Sequence, residues 1–135
     1  MSIGLVATKE HERTHLQWAD VALRHIVDAY HPQYVFLYGS VARGDWDNAS
    51  DIDFMIVDGS YDGRPKALSA PQDLKDKDCP DIHIWAMGAH TFAVGCHVPG
   101  SFAYMIGLEG KEVYKKNGTG SMEQLRKGVT MAEID

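Results

Sequence analysis

The chain is 135 residues long, 44% hydrophobic and 24% charged, which suits one folded domain over residues 1–135 and excludes a multidomain enzyme, a coiled coil and a disordered polyelectrolyte. Thirteen Lys and Arg against nineteen Asp and Glu give a net charge of −6, which makes nucleic acid an unfavourable partner because a polyanion is repelled. No apolar run approaches the ~20 residues that span a bilayer, and the first residues lack the basic and apolar regions of a signal peptide, so the expected location is the cytoplasm with no membrane association.

The first element expected is a helix over residues 9–30. Leu16, Ala19, Leu23, Ile26 and Tyr30 recur there at spacings of three and four, Thr8 offers a cap and Pro32 a stop. Residues 34–38 (YVFLY) are β-branched and aromatic and read as a strand buried on both faces, ending at Gly39. Residues 41–44 have room for one helical turn. Residues 51–57 (DIDFMIV) and 81–87 (DIHIWAM) read as the second and third strands. The connection between them is too long for a bare loop, so a short helix is expected near residues 71–77. Residues 89–96 and 101–108 read as short helices and 111–115 as a last edge strand. Ser121 with Gln124 makes a capping box for a terminal helix. The class is α+β, a small mixed sheet with helices packed on it. Cys79 and Cys96 lack metal-ligand spacing and read as buried thiols.

The chemistry concentrates between residues 37 and 62. Asp45, Asp47, Asp51, Asp53, Asp58 and Asp62 crowd together there, and such a cluster is costly unless solvated or neutralised by a cation. Upstream of all six, the strand ending in Gly39-Ser40 and entering a helical turn presents free N–H groups and a hydroxyl, a geometry that receives phosphate oxygens, and Arg43 one turn on adds charge. Because strand side chains alternate, Asp51 and Asp53 share a face with Cα atoms about 7 Å apart, close enough to hold one divalent ion, while Ile52 and Phe54 point into the core. Asp81 opens the third strand and offers a third ligand, with His83 on the same face.

Gly39-Ser40, ten residues, Asp51-Ile52-Asp53 and a later strand-borne Asp81 resemble the signature of the polymerase-beta-type nucleotidyltransferases, and most closely their minimal single-domain members. The resemblance spans residues 34–86 and extends weakly through residues 108–114. It implies a nucleotidyltransferase-type fold and transfer of a nucleotidyl group, AMP from ATP, to an acceptor hydroxyl with release of pyrophosphate. Gly39 and Ser40 would bind the triphosphate, with Arg43 beside them, and Asp51, Asp53 and Asp81 would hold two Mg²⁺ ions and carry the catalysis. In relatives of this size it further implies a HEPN-type helical toxin as acceptor, whose hydroxyl receives AMP in a toxin–antitoxin pair. A chain this small leaves the acceptor site to be completed by a partner or by an oligomer. The competing reading is a non-catalytic nucleotide-binding antitoxin or regulatory module.

Three further features have expectations of their own. His11-Glu12-Arg13-Thr14-His15 matches the H-E-x-x-H zinc pattern, but no third ligand follows at the required spacing, so two exposed histidines at a helix start are expected. Trp46 lies between the Gly-Ser turn and the aspartates, where it reads as rim or as a surface for a nucleobase. The Gly-rich segment 59–80, carrying Arg64, Lys66, Lys75 and Lys77, reads as a flap beside the phosphates.

Overall fold

A computed structural model describes residues 13–74 and 78–129. Helix α1, His15–Tyr30, begins six residues later than the periodicity suggests. Its cap is Thr14, whose Oγ1 accepts from the Gln17 N–H at 3.2 Å while Gln17 Oε1 accepts from the Thr14 N–H at 2.9 Å. A Gln at the third helical position completes this reciprocal box, which is why the helix starts there. Thr8 and residues 9–12 lie outside the described residues. The helix ends at His31, which takes a left-handed conformation (φ 49°) and returns its N–H to Val27 O just before Pro32.

Strands β1 (Tyr34–Tyr38), β2 (Ile52–Val57), β3 (Lys66–Leu68), β4 (Ile82–Met87) and β5 (Lys111–Lys115) form one mixed sheet in the order β3-β4-β2-β1-β5. β1 runs antiparallel to both β2 and β5, and β3 antiparallel to β4, whereas β2 and β4 are parallel. The connection between those two strands contains β3, which the sequence did not suggest, and a 3-10 turn at Gln72–Leu74 where a short helix was expected. Leu74 from that turn is buried against α1's side of the sheet, so the crossover is anchored in the core.

Both faces of the sheet are covered, which is why β1 is buried at every position. Val35, Leu37, Ile52, Phe54, Ile56, Ile84 and Ala86 meet Trp18, Ala19, Ala22 and Ile26 of α1. At 25 cal/mol per Å² of apolar area, full burial of a side chain such as Ile26 contributes about 1.5–3 kcal/mol. The opposite face carries Tyr34, Phe36, Met55, Val57 and Met87. Over it pack α3 (Ala89–Gly95), α4 (Phe102–Glu109) and α5 (Met122–Lys127), through Phe92, Ala103, Ile106 and Met122. Ser101 and Ser121 cap α4 and α5 by accepting from the Tyr104 and Gln124 N–H groups. Cys79 packs at the edge of the first core and Cys96 at the edge of the second, on opposite faces, with no disulfide. Among the described residues no helix is long and apolar enough to cross a membrane.

Candidate active site

The site lies at one end of the second face, where the register builds a short cross-strand row. Tyr38 of β1 sits opposite Asp53 of β2, and Asp53 opposite His83 of β4. The next row is Phe36, Met55 and Trp85, all apolar or aromatic. The face therefore changes over one pleat from a packed core to a charged opening, because residues two apart on a strand share a face. Asp51 precedes β2 and Asp81 precedes β4, and the Ile52 N–H donates to Asp81 O at 2.9 Å, which pins these two strand entrances together. The parallel pairing of β2 with β4 is thus what brings Asp81 beside Asp51.

Distances are short. His83 Nδ1 lies 3.4 Å from Asp53 Oδ1 and 3.7 Å from Asp51 Oδ2. One donor atom each from Asp51, Asp81 and His83 falls within 4.8 Å of the others. Asp53 is the most enclosed of these carboxylates, and burial, only partly offset by His83, holds its pKa above the ordinary carboxylate range. Burial first and the charge of Asp53 second raise the Tyr38 phenol as well, so its hydroxyl stays protonated at neutral pH. Four donors on one opening, three of them carboxylates, suit a divalent cation that relieves their repulsion.

Beside the carboxylates lies the Gly-Ser turn. Gly39 adopts φ 79°, ψ −158°, a conformation open essentially to glycine, and a Cβ placed there would come within 2.5 Å of Asp53 Oδ2. The missing side chain is what lets the backbone rest against that carboxylate. Helix α2, Ser40–Arg43, follows at once, closed by Gly44 in the left-handed region, and its first N–H groups have no intrahelical acceptor. Gly39, Ser40, Asp51, Asp53 and Asp81 are therefore gathered at one end of the sheet, with His83 among them.

Other residues behave differently. Arg43 donates to Asp45 at 3.2 Å and to Glu109 at 3.1 Å, so it bridges the loop to the end of α4. Glu109 escaped sequence reasoning because a partner 66 positions away leaves no local pattern. The crowd of aspartates disperses into separate tasks. Asp47 Oδ1 accepts from the Ala49 N–H and the Ser50 hydroxyl, and Asp58 accepts from the Gln33 and Ser60 N–H groups, so both close turns rather than face the opening. His15, expected to be exposed, is buried: its ring lies 6.2 Å from that of Trp46, and its Nε2 is 2.9 Å from Ser50 O. This ties the start of α1 to the residue before Asp51 and leaves that nitrogen no part in a zinc site. His11 and Glu12 lie outside the described residues. Trp46 packs against the α1-side core. In the expected flap, β3 places Lys66 beside Ala86, three positions along β4 from His83, and Lys75 and Lys77 lie outside the described residues.

No curated protein matches the chain. The family model described as Polymerase beta, Nucleotidyltransferase matches residues 22–119, a span that holds the Gly-Ser turn, all three site carboxylates, His83 and all five strands. With the mixed sheet and its acidic opening already in place, this match over most of the chain shows that the protein belongs to the polymerase beta nucleotidyltransferase family.

Proposed function

We propose that the protein transfers AMP from ATP to an acceptor hydroxyl, with release of pyrophosphate, in a Mg²⁺-dependent reaction. The observation that carries this reading is the meeting of Asp51 and Asp81 at the paired entrances of β2 and β4, with Gly39 backed against Asp53. The donor set fits the ions the reaction needs. Asp51, Asp53 and Asp81 would hold two Mg²⁺ ions, whose chemistry there is neutralisation of phosphate charge and acidification of the attacking hydroxyl. The first N–H groups of α2 and the Ser40 hydroxyl bind triphosphate oxygens, and Gly39 keeps the backbone close enough to do so. Asp81, exposed at the mouth, takes the proton of the acceptor hydroxyl as its oxygen bonds to the α-phosphorus. The bond from the α-phosphorus to the bridging oxygen breaks, and pyrophosphate leaves.

The acceptor in this reading is a tyrosine, serine or threonine of a HEPN-type helical toxin. An anionic, bulky group added near a catalytic site silences it by charge and volume. A net charge of −6 favours approach of a basic, RNA-cleaving partner. The test is to incubate the protein, ATP and Mg²⁺ with the product of the neighbouring reading frame and to follow pyrophosphate release and intact mass. AMP adducts on the neighbour that vanish in Asp51→Asn and Asp53→Asn are expected. Labelling of small metabolites alone, with the neighbour untouched, removes the toxin reading.

A second reading is a nucleotide-binding antitoxin or regulatory module without transfer. The pairing of Arg43 with both Asp45 and Glu109 favours it, because the guanidinium on α2, beside the Gly-Ser turn, is already neutralised. Nucleotide binding without pyrophosphate release, with any acceptor, would decide for it.

A further inference from the structure

We propose that His83 is a direct ligand of one of the site's two metal ions, which makes that centre a mixed nitrogen–oxygen site that prefers Mn²⁺ over Mg²⁺. This rests on the metal-dependent reading above and adds to it a ligand and a selectivity. β4 places His83 two residues after Asp81, so both side chains leave the strand on the face that Asp51 and Asp53 share. Its Nδ1 is the nitrogen turned toward the carboxylates, at 3.4 Å from Asp53 Oδ1 and 3.7 Å from Asp51 Oδ2. An ion with ligand bonds near 2.1–2.2 Å holds neighbouring donor atoms about 3 Å apart, a spacing that the 3.4 Å and 3.7 Å separations of His83 Nδ1 from Asp53 and Asp51 approach, so side-chain rotation brings these atoms onto one ion. Among the described residues, Asp51, Asp81 and His83 bring one donor atom each within 4.8 Å of one another, while Asp53 presents Oδ1 to His83 and Oδ2 to Gly39. His83 is exposed, so core packing does not account for its place, and its contacts at this opening are with the two carboxylates.

Donor chemistry sets the consequence. Mg²⁺ favours oxygen ligands in near-ideal octahedra, whereas an imidazole nitrogen suits first-row transition ions, which bind N/O sites more tightly along the Irving–Williams order. Of these Mn²⁺ also accepts carboxylate and phosphate oxygens readily, so it matches three aspartates, one imidazole and a triphosphate together.

The experiment uses the full chain with Mn²⁺ and, separately, Mg²⁺, each with inorganic tripolyphosphate, which occupies the phosphate turn and brings no nitrogen. Affinities come from calorimetry, and nitrogen ligation from pulsed EPR of the Mn²⁺ complex. The expected result is at least tenfold tighter binding of Mn²⁺, with a nitrogen coupling typical of directly bound imidazole. In His83→Asn, which keeps a neutral side chain and offers an oxygen, the coupling disappears and the preference falls about tenfold while Mg²⁺ still binds. Thermal unfolding of the same variant confirms that it is folded. Mn²⁺ bound without nitrogen coupling, or a preference unchanged in His83→Asn, overturns the proposal and leaves metal-dependent transfer standing. Failure of both ions to bind, even with tripolyphosphate, overturns the proposal and the metal-dependent reading together.

Discussion

Replacing Gly39 by alanine tests how the Gly-Ser turn and the carboxylates are built against each other. Two costs are separable. The backbone at φ 79°, ψ −158° is closed to a residue with a Cβ and costs about 1–3 kcal/mol if kept. The added Cβ also meets Asp53 Oδ2 at 2.5 Å, which is 0.5 Å inside the 3.0 Å that Cβ contacts essentially always keep. The Asp53 carboxylate has to retreat from the opening. Gly44 is the control, because it also has positive φ (86°) but nothing lies within 4 Å of its Cβ position, so Gly44→Ala carries backbone strain of only about 1 kcal/mol. Urea unfolding should show Gly39→Ala less stable by about 3 kcal/mol in all. Because misplacing a reacting group by about 1 Å can cost a hundredfold, nucleotidyl transfer by Gly39→Ala should fall at least tenfold, with Gly44→Ala near wild type. In an Asp53→Ala background the stability cost of Gly39→Ala should shrink to strain alone, a non-additivity that reports the contact directly. Equal losses in the two glycine variants, with no change in the Asp53→Ala background, would refute the reasoning.

The elevated pKa of Asp53 makes a statement about pH. A carboxyl raised by burial binds its proton more tightly folded than unfolded, so stability falls as pH rises from the ordinary carboxylate value through the raised one, and the penalty stays constant above. Asp53→Asn should therefore be more stable than wild type at pH 7 without added metal, and the difference should vanish under acid conditions in chemical denaturation. His15→Ala leaves Ser50 O without its 2.9 Å partner, and a loss of about 1–3 kcal/mol with reduced transfer is expected, measured by denaturant unfolding and pyrophosphate release. Excess EDTA should leave the stability contribution of His15 unchanged, since that nitrogen serves a backbone carbonyl. For Arg43 and Glu109, whose side chains are 45% and 29% exposed, a double-mutant cycle should give coupling below about 1 kcal/mol. If Arg43 leaves that pair to meet ATP, Arg43→Ala should raise KM for ATP severalfold with kcat little changed.

Local chemistry was enough to read much of this protein. The β-branched and aromatic run YVFLY and the apolar run in DIDFMIV mark strands, three-and-four spacing marks α1, and Gly39-Ser40 marks the turn into α2, because each pattern acts within a few residues of itself. The start of α1 was misread because periodic residues say which face is buried but not where the first N–H groups find an acceptor. Gln17 settled that, three residues from Thr14. The tertiary structure decided what lies next to what. Parallel pairing of β2 with β4 brought Asp81 and His83 to Asp51 and Asp53. Burial against the loop before β2 turned His15 from a surface residue into a brace, and the end of α4 brought Glu109 to Arg43. Strand order and register follow from competition among distant apolar faces for burial, and that competition is resolved only when the whole chain folds.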